Sequence, residues 1–220
     1  MKKPALIPAL AGVLPVAAVF VAYALNRYTG TDLEPRFICN PYIDGCVSIS
    51  RAVRSGPGLH LFRAVMLPCA MLLFLSWSMV RDWLLCIDAC RSRRAAAVFW
   101  LGAVGALFLV LYVTWLGTEG EWYGWLRRYG VTVYFGGTSL AQLLLVWVLW
   151  PQRVRLAEGR LRGLVGALTS LVALQWFLGV SSVAKRLLLD DPDLMDRIEN
   201  LIEFWRIDQF MITSLNRFEQ

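Results

Sequence analysis

The chain has 220 residues, of which 58% are hydrophobic and 17% charged, and its formal net charge is +6. This composition excludes an intrinsically disordered chain. Uncharged runs at 4–26, 95–118, 129–152 and 163–184 are long enough to cross a bilayer, which excludes an ordinary soluble domain. Because Lys and Arg cluster beside these runs, where lipid headgroups lie, no nucleic-acid partner is predicted.

The first predicted span covers 5–25 and follows the basic pair Lys2-Lys3. Its apolar run is longer than that of a secretory signal peptide, which favours a retained span. The longest loop, 27–59, comes next and is rich in Pro, Gly, Asp and Ser. Cys39 and Cys46 in this loop form either a disulfide or two free thiols. The predicted outer location of the loop favours the disulfide, because disulfides persist in oxidising compartments.

Four further apolar runs predict spans at 61–80, 96–116, 130–150 and 163–183. Pro68 predicts a kink or local adjustment within the second span. The stretch 119–128 mixes aromatic side chains with arginines and is predicted to be a loop at the membrane interface.

The final predicted helix, 194–215, is more polar than the others. At helical spacing, one stripe holds Asp196, Glu199, Asn200, Glu203, Arg206 and Ser214, and apolar side chains lie opposite. The segment is therefore either a sixth span whose polar face looks into the bundle or an amphipathic helix in the interface. The pattern favours the span. The fold class predicted is an all-α bundle of six transmembrane helices with a disulfide-closed first outer loop.

Positive charge divides almost evenly between the two sides of this six-span topology. The dense basic cluster at 153–162 favours the cytoplasm for its side, since Lys and Arg concentrate in short cytoplasmic loops. Both termini are then cytoplasmic. The membrane is the cell (inner) membrane or, in a eukaryote, an endomembrane.

Few residues could support catalysis. His60 is the single histidine, so multi-histidine metal centres are excluded and no metal or other cofactor is predicted. It is either a polar anchor or a general base. Ser48 and Ser50 are possible nucleophiles if a base adjoins them. Arg63, at the outer mouth of the second span, holds a lipid phosphate or snorkels to the headgroups.

The polar stripe of the last helix is the strongest functional indication. Charges at membrane depth usually face the bundle interior and pair, as Glu203 and Arg206 can at their i,i+3 spacing. Glu199 and Glu203 repel when both are charged, which would suit proton handling. The alternative is an interfacial helix with solvated charges.

Two short motifs resemble a known family. The run Cys46–Ala52, then Pro57 and Leu61-Phe62-Arg63, is similar to the first luminal loop and second span of the DRAM/Frag/Sfk group. This group of six-span membrane proteins includes proteins that remodel GPI-anchor lipids. Glu203-Phe204-Trp205, followed by Asn216 and Phe218, resembles the final span of the same group.

The resemblance implies six spans and a lipid-related role, with Ser48, Ser50, Arg63, Glu203 and Asn216 as the positions to test. Membrane lipids are the expected partners, with another membrane protein or a second copy of the chain as further candidates. We therefore expect lipid remodelling, lipid organisation or regulation of a membrane partner. The alternatives are a membrane-embedded acyltransferase or hydrolase, and a small transporter or channel lined by the last helix.

Overall fold

The computed structural model describes residues 6–29, 40–45, 47–87, 92–151, 159–188, 193–194 and 196–204. Within these ranges the chain is helical and forms no strand, which confirms the all-α prediction for this part of the protein. The helices are α1 (Leu6–Thr29), α2 (Pro41–Asp44), α3 (Ile49–Ala52), α4 (Gly56–Cys86), α5 (Ser92–Trp115), α6 (Glu121–Leu149) and α7 (Gly159–Leu188). Residues 193–194 and 196–204 are helical as well.

Four of these helices, α1, α4, α5 and α6, are long and apolar enough to cross a membrane. This indicates an integral membrane protein. The fifth predicted span lies within α7, whose apolar stretch Val165–Ser181 is shorter. The sixth predicted span is described only as far as residue 204, so six spans remain a prediction.

The long helices pack on their sequence neighbours: α1 on α4, α4 on α5, α5 on α6 and α6 on α7. The end of α1, the start of α4, the end of α5 and the start of α6 therefore meet at one end of the bundle. Contacts from Asn26 to Gly58 and from Arg63 to Thr114 confirm this meeting. We call it the loop end, because α2 and α3 lie there too.

Small residues allow the helices to approach closely. A Cβ atom on Gly102 of α5 would lie 2.3 Å from the ring of Trp77 of α4. A Cβ on Gly58 of α4 would lie 2.5 Å from the Ala22 carbonyl oxygen of α1. Close approach of this kind increases the van der Waals packing that helps to drive helix association in lipid, where no hydrophobic driving force operates between helices.

Aromatic side chains mark the two ends of the bundle. Trp122 and Trp125, near the start of α6, are 80% and 60% exposed, and Trp147 near its end is 58% exposed. At the latter end the Arg94 guanidinium lies 4.9 Å from the Trp147 ring centroid. From Trp125 to Trp147 the helix rises about 33 Å, close to the thickness of a bilayer's hydrocarbon core. These side chains therefore match two interfacial belts.

Two helices begin earlier than their apolar runs suggest. The helix containing the predicted span 61–80 begins at Gly56, with Pro57 in its first turn, where proline is well tolerated. It also continues through Pro68. Helix α6 begins at Glu121, so most of the predicted 119–128 loop is helical. The turn is confined to residues before Glu121, where Gly117 and Gly120 adopt φ values of 82° and 121°.

Candidate functional site

The first part of the site is a tight turn around α2. The Asn40 side chain accepts a hydrogen bond from the Tyr42 backbone N–H at 3.0 Å. The Asn40 N–H in turn donates to Asp44 Oδ2 at 2.9 Å. Gly45 then ends the helix at φ 58°, a left-handed conformation that favours glycine. The Asn-Pro-Tyr-Ile-Asp-Gly sequence thus builds a compact turn at the loop end.

Ser48 and Ser50 belong to the next turn. Ser48 is the N-cap of α3, and its Oγ accepts from the Arg51 N–H at 3.3 Å. The two serine hydroxyl oxygens lie 3.3 Å apart. The Ser48 hydroxyl therefore has a structural role, because Ser commonly satisfies the free N–H groups at the start of a helix in this way.

The helical segment 196–204 packs against this pair of turns. Asn200 Nδ2 donates to the Gly45 carbonyl oxygen at 2.7 Å, and the Ile49 N–H donates to Glu203 Oε2 at 3.2 Å. Phe204 is fully buried, and its ring centroid lies 5.4 Å from that of Tyr42 in an edge-on arrangement. At Asn200 and Glu203, the polar stripe of the last helix therefore faces the backbone of Gly45 and Ile49.

Gly45 is essential to this docking. A Cβ atom at this position would lie 2.1 Å from the Arg197 carbonyl oxygen. Such a contact would push the 196–204 segment off the α2 turn, and the positive φ also disfavours any side chain there.

Asn26 of α1 connects the same region to the bundle and was not predicted. It is fully buried; its Nδ2 donates to the Ala52 carbonyl at 3.0 Å, and its Oδ1 accepts from the Gly58 N–H at 2.8 Å. One side chain thus holds the end of α3 and the start of α4 against α1. The sequence feature that could have indicated this role is the position of Asn26, a polar amide at the end of an uncharged run and just before Arg27.

Arg63 binds protein backbone. Its Nη2 donates to the carbonyl of Thr114 in the last turn of α5, at 3.1 Å, and to the carbonyl of Leu116 just beyond the end of this helix. The guanidinium thereby satisfies terminal carbonyls and lies at the negative end of the helix dipole. The two predicted roles of Arg63, lipid-phosphate binding and snorkelling, stay predictions, and the structure adds these bonds to the α5 terminus. Its Nε is buried and has no hydrogen-bond partner among the described residues.

Other arginines at this end remain accessible. Arg51 and Arg54 are exposed, and Arg127 is half-buried with its Nη1 donating to the Thr118 carbonyl at 2.6 Å. Although the Arg54 side chain is exposed overall, partial desolvation of its guanidinium by the surrounding protein, followed by the positive charge of Arg127, lowers its pKa. This effect of Arg127 indicates that like charges lie close together here.

The remaining predicted residues do not join the contacts described above. His60 and Asp196 are exposed, and no recorded hydrogen bond links His60 to Ser48 or Ser50 in the described part of the chain. The described residues also contain no group of three His, Cys, Asp or Glu side chains able to hold a metal ion. Arg206, Asn216 and the Cys39–Cys46 pair lie outside the described residues, so their predicted roles are untested.

The α2 turn, the α3 turn and the 196–204 segment together form a polar surface at the loop end of an apolar bundle, which we call the cap. Its amides and its carboxylate hydrogen-bond to backbone groups, and its serine caps a helix. This arrangement suits the shaping of a surface at the membrane boundary. Neither the models of known protein families, nor curated proteins, nor solved structures match this chain.

Proposed function

We propose that this membrane protein handles lipid at its loop end, as a factor for lipid organisation or remodelling. One observation carries the proposal. The two segments that carry the resemblance to the DRAM/Frag/Sfk group are far apart in sequence but in contact, through the hydrogen bond from the Ile49 N–H to Glu203. Residues of the two motifs therefore belong to one surface at the end of the bundle.

The surroundings of this surface support a lipid role. Exposed Trp122, Trp125 and Tyr129 lie on the first turns of α6 at the loop end. Aromatic side chains of this kind favour the headgroup level of a bilayer. In this proposal the loop end faces the outer or luminal side, and both termini are cytoplasmic.

The chemistry of the cap favours organisation over catalysis. Ser48 would need a neighbouring base to act as a nucleophile, but its hydroxyl accepts a backbone N–H, and Glu203 contacts the backbone of Ile49. We therefore propose that Glu203 maintains the shape of the lipid-facing cap.

The test is the lipid composition of each membrane leaflet in cells that lack the protein, because remodelling changes which lipids are present and organisation changes where they lie. The cells are complemented with wild type, Glu203→Ala or Asp196→Ala, the last being an exposed acid on the same helix. We expect an altered lipid composition that wild type and Asp196→Ala restore and Glu203→Ala does not. An unchanged lipid composition of both leaflets in cells lacking the protein would contradict the proposed function.

A further inference from the structure

Two connections of the chain meet at the loop end. The carbonyl oxygen of Arg54, which lies between α3 and α4, would be 2.7 Å from a Cβ atom on Gly117, which lies between α5 and α6. Thr118, the next residue, accepts the hydrogen bond from Arg127 Nη1. The Arg54 backbone and the Arg127 guanidinium therefore lie at the same Gly117-Thr118 turn, and Arg51 lies on the short helix just before Arg54.

The three guanidinium groups form a concentration of positive charge, which we call the arginine cluster (Arg51, Arg54 and Arg127). Both Arg51 and Arg127 disfavour the charged form of Arg54. One negative charge lies near the cluster, because the Glu203 carboxylate acts on the same buried Tyr112 hydroxyl as Arg54 and Arg127 do, and it leaves the three guanidinium groups with a net positive charge. Glu119 and Glu121 on the adjoining turn are exposed.

Like charges held together destabilise a fold unless an anion neutralises them. Guanidinium groups bind phosphate through parallel N–H···O bonds, so neighbouring arginines suit a phosphate ligand. The cluster also lies beside an aromatic pair, Trp115 and Tyr123, whose ring centroids are 4.9 Å apart. Such a pair is typical of the headgroup level of a membrane.

We propose that the arginine cluster is a binding site for a phosphate group at the membrane surface. The inference rests on the proposed lipid function and specifies its ligand class. The phosphate belongs either to an anionic lipid headgroup or to a free phosphate ion, since both present the same oxygens to the guanidinium groups.

The experiment uses the full-length protein purified in detergent. Binding of short-chain phosphatidylglycerol, phosphatidylcholine and inorganic phosphate is measured for each variant by native mass spectrometry and isothermal titration calorimetry. The test variants are Arg54→Gln and the double variant Arg54→Gln/Arg127→Gln. The matched control is Arg27→Gln/Arg128→Gln, which removes two exposed charges from the same end of the bundle.

We expect wild type and the control to bind phosphatidylglycerol alike, and the double test variant to bind it at least about ten-fold more weakly. Arg54→Gln alone should show part of this loss. It makes the inference testable even if the double variant unfolds, because Arg127 keeps its bond to Thr118. A similar loss with inorganic phosphate would identify free phosphate as a ligand, whereas a loss confined to phosphatidylglycerol would identify the lipid headgroup.

Two results would overturn the inference: equal binding by wild type and both test variants, or an equal loss in the control. The second result would mean that only the total charge of this end matters. Neither result affects the proposed lipid function, because that function is tested by lipid composition in cells and through Glu203.

Discussion

Asn26 shows how a single buried side chain determines the geometry of the loop end. An amide in an apolar surrounding is costly unless its donor and acceptor groups are satisfied. Asn26 satisfies both, by bonding to the Ala52 carbonyl and the Gly58 N–H. The same bonds satisfy backbone groups at the end of α3 and the start of α4, so this connection is held in one position.

Asn26→Leu, which keeps the shape but removes both hydrogen bonds, should destabilise the protein by roughly 2–4 kcal/mol. The reason is that two buried backbone groups lose their partners. The measurement is thermal unfolding in detergent, followed by circular dichroism. Thr29→Val on the same helix is the control, since it removes only an exposed bond to the Leu25 carbonyl. Equal melting temperatures for the two variants would contradict this role of Asn26.

A second prediction concerns the hydrogen bond from the Ile49 N–H to Glu203. Glu203→Ala should raise the hydrogen-exchange rate of the Ile49 amide about five-fold, because the loss of a part-buried hydrogen bond is worth about 1 kcal/mol. Glu203→Gln keeps an oxygen acceptor and should show a smaller change. Exchange at Ile49 that is the same in all three proteins would show that the 196–204 segment does not protect this amide.

At the scale of elements, helix contact depends on where glycine occurs. Gly102 accommodates the Trp77 ring, and Gly130 lies against the backbone of Tyr112, where a Cβ would be 3.2 Å from the Tyr112 nitrogen. Gly136 has no neighbouring atom within 4 Å of such a Cβ. Helical glycines in this chain thus differ sharply in what they contribute to packing.

Gly102→Ala should destabilise the bundle by about 1–3 kcal/mol, because the added methyl group would clash with the buried Trp77 ring. Gly136→Ala should be neutral or slightly stabilising, since alanine favours the helix and meets nothing there. Thermal unfolding of the two variants in the same detergent provides the comparison. A larger loss for Gly136→Ala would be inconsistent with the α4–α5 contact described.

At the scale of the whole molecule, the bundle has two chemically different ends. The loop end carries the cap, the arginine cluster and Trp122 and Trp125. The opposite end carries Arg94 stacked on Trp147. Because α5 and α6 span the distance between these ends, residues at the loop end should share one side of the membrane.

Single cysteines test this arrangement in sealed vesicles, in a background without native cysteines. Glu119→Cys and Asp196→Cys should react with a membrane-impermeant maleimide from the same side, and Arg93→Cys only from the other side. All three positions are exposed, so burial does not complicate the comparison. Labelling of Glu119→Cys and Asp196→Cys from opposite sides would exclude docking of the 196–204 segment at the loop end.

The pattern of hydrophobic residues by itself determined the long apolar helices of this protein. Apolar run length predicted the helices now seen as α1, α4, α5 and α6, because a span must satisfy its own backbone within one continuous helix. The resemblance of two short motifs to a known family, together with the polar stripe of the last helix, also directed attention to Ser48, Ser50 and Glu203, which the fold brings into one region.

The tertiary structure decided what those residues touch. Arg63 bonds to α5 carbonyls, Glu203 caps a backbone amide at Ile49, and the unpredicted Asn26 joins α1 to α4. Each of these contacts joins residues more than two dozen positions apart, and periodicity within one helix carries no information about such partners. Local apolar content therefore determined that the chain forms membrane-crossing helices, while helix packing alone determined how its polar groups assemble at one end.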